Sequence, residues 1–226
     1  MPVATSLREL APDVWMLSLL PLGNLNAYLV GDVVVDSGLP LTRRRFLRVL
    51  SDRVVTAHVL THAHPDHQGA SHALCVQRAV PLWCGAADRN AAESGSFHSV
   101  SRPGAAAYLA GLFGGPGHEV NRTLSDGDRV ADFEVLATPG HTPGHISLWR
   151  QRDGLMILGD VAFHRNPVTF RSGLREPFYS ATYDPVTNRR SLRLLADLRP
   201  TIVCFGHGEP VQGDRFAEWA ARLPNP

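Results

Sequence analysis

The feature that most constrains this chain is a change of chemistry after residue 60, where the largely apolar run 54–60 gives way to Thr61-His62-Ala63-His64-Pro65-Asp66-His67. Three imidazoles and one carboxylate fall within six consecutive positions. A strand presents its side chains with a period of two, so His62 and His64 face the same way as the chain leaves a sheet. Proline keeps His64 out of the helical region and itself fits a first helical turn. This places Asp66 and His67 at the start of a helix expected over 66–79. Two pairs of ligand-type side chains thus diverge from one strand-to-helix turn. A lone histidine is usually an ordinary core or surface residue, and His58, His72, His98 and His118 are read so.

The rest of the chain supplies a frame for that turn. Residues 14–20, 26–30 and 33–36 are short apolar stretches separated by turn signals, as in a meander of strands. After it the period alternates, with a helix over 42–50, a buried strand over 54–60, the helix over 66–79 and a strand over 80–84. Further strands are expected near 129–137, 146–150, 155–158 and 201–205. Asp184-Pro185 opens a helix to about residue 198, and a last helix follows Gly213. Two stretches stand apart from this scaffold. Residues 93–118 carry Ala105, Tyr108, Leu109, Leu112 and Phe113 at helical spacing, which suits a pocket lid or a subunit interface. Residues 165–184 are rich in arginine and aromatics without a period and read as an active-site loop.

Composition narrows the chemistry. With 226 residues, 44% hydrophobic and 19% charged, the chain is expected to form one globular domain over 1–226. All 22 basic residues are arginine, which excludes a Schiff-base or nucleophilic lysine. A net charge of +1 argues against a polyanion surface, so nucleic acid is not the expected partner. Cys75, Cys84 and Cys204 are widely spaced and form no C-x-x-C pair, which suggests neither a disulfide framework nor a zinc ribbon. Neither a basic-plus-apolar leader nor a run near the ~18 residues of a membrane span is seen, and the expectation is a soluble, cytoplasmic protein.

Three further elements pair a ligand-type residue with glycine where a strand ends. They are Thr138-Pro139-Gly140-His141-Thr142-Pro143-Gly144-His145, then Gly159-Asp160, then Gly206-His207-Gly208. Glycine allows close approach or positive φ, so such ends can aim side chains at one point. His-x-His-x-Asp-His, then Thr-Pro-Gly-His, Gly-Asp and Gly-His, in this order, resemble the metallo-β-lactamase-fold superfamily of hydrolases over roughly residues 14–210. The resemblance implies an α/β (α+β) chain folded as a four-layer αββα sandwich with ligands along one edge. It implies one metal at His62, His64 and His141 and a second at Asp66, His67 and His207, with Asp160 bridging. Imidazole and carboxylate suit zinc first, with iron or manganese possible. A metal-bridging hydroxide would be the nucleophile, and Asp66 would orient it or take its proton.

True β-lactamases of the superfamily lack the bridging aspartate, so Asp160 argues against an antibiotic substrate. The motifs are most similar to glyoxalase II and related thioester or lactone hydrolases. Glyoxalase II has a helical C-terminal extension with basic residues, whereas 19 residues follow His207 here. The expected substrate is therefore a small ester, thioester or lactone. Arg165, Arg171 or Arg175 are available for a substrate carboxylate, and His164 is within reach of substrate by its place after Asp160. Phe97, Tyr108, Phe178, Tyr179 and Tyr183 are candidates for an acyl pocket, Tyr179 or Tyr183 for an oxyanion donor. His145 is expected to support its neighbours without ligating. Two other readings stand beside the hydrolase: a persulfide dioxygenase-like oxidoreductase with mononuclear iron, and a phosphodiesterase or nuclease of the same fold. A homodimer would suit an exposed lid helix.

Overall fold

A computed structural model describes residues 7–102 and 114–224 of the chain. The apolar stretches before residue 36 pair as an antiparallel meander of β1 (Leu7–Ala11), β2 (Val14–Ser18), β3 (Asn26–Val30) and β4 (Val33–Val35). Three strands then add in parallel: β5 (Ala57–Val59), β6 (Leu82–Gly85) and β7 (Val120–Leu124). Parallel neighbours need crossovers, and the helices Arg43–Val49 and Ser71–Arg78 lie in the first two of them.

A second sheet repeats the plan. β8 (Arg129–Val130), β9 (Phe133–Ala137), β10 (Ile146–Arg150) and β11 (Leu155–Ile157) are antiparallel. A separate hairpin of β12 (Phe163–Arg165) and β13 (Ser172–Arg175) follows, then the helix Pro185–Asp197. β14 (Ile202–Cys204) joins β11 in parallel, and β15 (Val211–Gln212) closes the edge before the helix Gly213–Ala221.

Side chains alternate between two cores. Val33 and Val35 pack with Tyr28, Val135, Leu148 and Ile157 between the sheets, while Val34 and Leu29 face Phe46, Leu50 and Leu74 outside. In the second sheet Leu155 and Ile157 point inward, and Met156 and Leu158 pack on Leu192, Leu195 and Phe216 of the outer helices. Strands buried on both faces gain nothing from polar alternation, which is why they read as unbroken apolar runs. The layers are helix, sheet, sheet, helix, as expected.

Four local expectations need correction. The strand expected over 54–60 is paired only over Ala57–Val59. The helix expected over 66–79 is two, Pro65–Gln68 and Ser71–Arg78. Gly69 packs so closely on the 38–40 turn that a side chain there would lie 2.6 Å from the Gly38 carbonyl, and Ser37 Oγ accepts the Ala70 N–H where the second helix begins. The strand expected over 129–137 is the β8–β9 hairpin, turned at Ala131 with φ 50°. The loop expected over 165–184 contains half of the β12–β13 hairpin and a 3₁₀ turn at Tyr179–Ala181. Of the stretch 93–118, residues 103–113, Tyr108 included, lie outside the described residues. Among the described residues, no helix is long and apolar enough to cross a membrane.

Candidate metal centre

Four chain segments meet at one edge of the sandwich: the turn after β5, the 138–145 turn between β9 and β10, Gly159-Asp160 after β11, and Gly206-His207 after β14. They gather seven side chains into two groups. One is His62, His64 and His141; the other is Asp66, His67, Asp160 and His207; within each, the donor atoms lie within 4.8 Å of one another. All are buried except Asp66, which is partly open to the cleft above. Asp160 Oδ2 stands 3.2 Å from His67 Nε2, 3.4 Å from His207 Nε2, 3.7 Å from His141 Nε2 and 3.8 Å from His62 Nε2. One carboxylate oxygen thus reaches both groups.

Outer hydrogen bonds fix which ring nitrogen faces inward. His67 Nδ1 donates to Asp36 Oδ2 at 2.8 Å, and His207 Nδ1 to the Asn24 carbonyl at 2.6 Å. Thr61 Oγ1 gives its own proton to Asp36 and so accepts from His62 Nδ1. Thr182 Oγ1 gives its proton to the Phe178 carbonyl and so accepts from His141 Nδ1. Ser101 Oγ, 3.0 Å from His64 Nε2, lets His64 adopt the same arrangement. In the neutral ring each inner nitrogen is then a lone pair aimed at the centre, the tautomer that a metal ligand needs. Among the described residues, His62 Nε2 and Asp160 Oδ1 are buried without any hydrogen-bond partner. Orphans of this kind cost about 1–3 kcal/mol each, and a bound cation removes the cost. The donor set fits a metal.

The electrostatics of the two groups differ. Burial, reinforced by neighbouring imidazoles, pushes His62 and His141 well below the ordinary imidazole value and His64 down to about 4, so the first group is neutral. Burial opposes charge on His67 and His207 too, but Asp160 and Asp66 outweigh it, with Asp36 adding to the effect on His67; His67 is raised well above its ordinary value and His207 to about 10. Burial likewise works against ionised Asp160, yet His67 and His207 hold it well below the carboxylate range. The second group's own field favours positive charge at its centre.

Two carboxylates that the sequence reading passed over organise this arrangement. Asp36 accepts from Thr61 N, Thr61 Oγ1 and His67 Nδ1, each at 2.8 Å. Asp88 accepts from Ala63 N at 2.9 Å, Gly144 N at 2.7 Å and Thr142 Oγ1 at 2.7 Å, tying the His62–His64 turn to the His141 turn. Each sits just past the end of a strand and near a glycine, the same signal that singled out Asp160. His145 stays outside both groups; its Nε2 accepts the Asp160 N–H at 3.0 Å and its Nδ1 meets Thr138 Oγ1 at 2.9 Å.

Above the groups lies a cleft of about 520 Å³, and Phe97 and Phe178 line it. The proposed substrate residues are placed elsewhere. Tyr179 and Tyr183 line an adjoining hollow, where the Arg102 guanidinium stacks 4.3 Å from the Tyr179 ring centroid. His164 donates through Nδ1 to the Glu209 carbonyl, and Arg165 donates to the Phe170 carbonyl of its own hairpin. Arg175 likewise turns back, onto the carbonyls of Gly173 and Arg171. β12 carries His164 and Arg165 past the cleft wall, so neither lines it.

The sequence model of the metallo-beta-lactamase superfamily matches residues 20–207. The chain belongs to that superfamily. Similar proteins include several named as metallo-hydrolases: Probable metallo-hydrolase YflN of Bacillus subtilis is 28% identical over 85% of this chain and 81% of its own. Hydroxyacylglutathione hydrolase GloC of Haemophilus influenzae is 28% identical over 66% of this chain and 67% of its own. The crystal structure of TTHA1623 in a di-iron-bound form superposes with a TM-score of 0.69 at 28% identity, covering 93% of this chain and 98% of that one.

Proposed function

We propose that the protein is a dinuclear metal hydrolase that cleaves a small ester, thioester or lactone. The observation that carries this reading is Asp160 Oδ2, within 3.8 Å of histidines from both ligand groups. His62, His64 and His141 would hold one cation, Asp66, His67 and His207 the other, and Asp160 both. Divalent cations bound there supply a nucleophile at neutral pH, by lowering the pKa of a bound water to about 7, and a Lewis acid for the substrate carbonyl. Zinc suits the all-imidazole and carboxylate set, and iron or manganese would serve; the di-iron form of TTHA1623 supports two divalent ions at such a site.

This chain's residues would do the rest. Asp66, the one ligand-type side chain partly open to the cleft, is positioned to accept the proton of the attacking water and return it to the leaving group. His145 fixes the backbone of Asp160, and Asp36 and Asp88 fix the two histidine turns. Phe97, Phe163 and Phe178 exclude water from the reacting carbonyl. The full second group favours two metals over the single iron of an oxidoreductase. The test is metal analysis of the purified protein with assay of ester, thioester, lactone, phosphodiester and persulfide substrates. The reading expects two metals per chain and acyl hydrolysis, with both lost in His64→Ala and Asp160→Asn. Retained activity in those variants, or phosphodiester cleavage alone, contradicts it.

A further inference from the structure

The walls of the cleft are chemically one-sided. Its floor is formed by His64, Asp66, His141, Asp160 and His207, and every other residue lining it is apolar or a serine. Leu41, Phe97, Phe163, Val168, Phe178 and Ala181 are among the apolar residues that form its walls. Leu41 and Val168 at the mouth are 70% and 73% exposed, unusual for aliphatic side chains and suited to apolar contact. Among the described residues no arginine lines the cleft, and the chain has no lysine. Arg165 and Arg175 bind carbonyls of their own hairpin, Arg102 stacks on Tyr179 in the next hollow, and the exposed Arg171 is not among the lining residues. A carboxylate or phosphate held against these walls, away from the floor, would lose its hydration and meet no arginine or lysine, a heavy penalty. An alkyl or aryl group would meet apolar surface throughout.

We infer that the cleft selects substrates whose acyl portion is uncharged and apolar, an aliphatic or aromatic ester, thioester or lactone, and discriminates against acyl groups that carry a carboxylate or phosphate. This rests on the hydrolase reading above and sharpens its substrate class. Burial of successive methylenes against Leu41, Phe97 and Val168 should raise kcat/KM by about three- to four-fold per added CH2 until the cleft is filled. A carboxylate at the far end of the acyl chain should remove that gain and leave a net loss of at least about ten-fold against the matched alkyl chain.

The test uses the metal-loaded protein, with its metal content measured, on straight-chain thioesters of two to eight acyl carbons and on the same chains ending in a carboxylate. A rising series for the alkyl chains and poor turnover of the carboxylates are expected. Val168→Asp, a substitution at an exposed position outside the ligand groups, should cut kcat/KM for the octanoyl substrate more than for the acetyl substrate and so flatten the chain-length series. Turnover that is flat with chain length, or fastest for the carboxylates, overturns the inference and leaves the hydrolase reading standing. Full metal loading with no turnover of any thioester, ester or lactone overturns both.

Discussion

Replacing Asp36 by asparagine separates the organisation of the site from its ligands. Asp36 has φ 60°, a conformation asparagine tolerates better than most residues, so the backbone can stay in place. Its Oδ1 accepts from Thr61 N, while Oδ2 accepts from both Thr61 Oγ1 and His67 Nδ1. In Asp36→Asn an amide nitrogen at the Oδ2 position cannot accept from His67. His67 is driven to the tautomer with its proton on Nε2, 3.2 Å from Asp160 Oδ2, and the bond it then makes closes the lone pair needed by a metal. Turning the amide over sets its nitrogen against the Thr61 N–H, donor against donor. Loss of such an outer partner weakens metal binding about 10- to 100-fold, or about 1.4–2.7 kcal/mol. The effect should fall most directly on the Asp66, His67 and His207 group and reach the other only through Thr61 Oγ1 and His62. Competitive titration against a chelator should therefore show two tight sites in the wild type and one tight, one weak in the variant. Urea unfolding of the metal-stripped proteins should differ by about 1–3 kcal/mol. A folded Asp36→Asn protein that binds both metals with wild-type affinity would refute the tautomer argument.

Three other perturbations probe the scaffold. Burial lowers His58 to about 4 from an ordinary 6.5, while its Nδ1 donates to the Val34 carbonyl and its Nε2 meets Ser71 Oγ. The unfolded state therefore binds the proton more tightly, and stability is full above about pH 6.5 and falls as pH drops towards 4. Roughly 3 kcal/mol is linked to this group, so unfolding of the wild type and His58→Gln compared across that range should show a steeper loss in the wild type; parallel curves would exclude it. Asp184 caps the helix Pro185–Asp197 by accepting from Val186 N and Thr187 N, and Asp184→Ala should cost about 1 kcal/mol in denaturant unfolding while metal content is kept. A Cβ at Gly206 would collide with the Asp160 carboxylate and the His67 ring, so Gly206→Ala should be purified with little metal, as elemental analysis would show.

The sequence was most legible where chemistry is local. Apolar runs buried on both faces gave β3, β4, β10 and β11 within a residue or two, and Asp184-Pro185 marked its helix because a cap and a proline are both short-range signals. The seven ligand-type residues stood out in the sequence for the same reason, since four cluster in one turn after a strand and the other three, His141, Asp160 and His207, each stand beside a glycine. What failed depends on distant parts of the chain. The helix break at Gly69 is imposed by the 38–40 turn, some thirty residues away, and nothing near Gly69 announces it. The β12–β13 hairpin is only partly buried on either strand, so it leaves no hydrophobic period to detect. Which aromatic of the 178–183 stretch lines which hollow is equally invisible locally: Phe178 lines the cleft above the ligand groups, while Tyr179 and Tyr183 line the adjoining one. Asp36 and Asp88 resemble Asp160 in sequence, and only the folded structure separates an organising carboxylate from one that faces two ligand groups.

The central claim is that one carboxylate joins two complete metal sites. It is tested most directly by counting metal ions per folded chain in protein purified with and without Asp160→Asn, alongside thioester hydrolysis and oxygen uptake. Two ions per wild-type chain, hydrolysis without oxygen uptake, and loss of metal and hydrolysis in the variant are the expected result. One iron per chain with oxygen consumption, or an Asp160→Asn protein that keeps both ions and full activity, would contradict it.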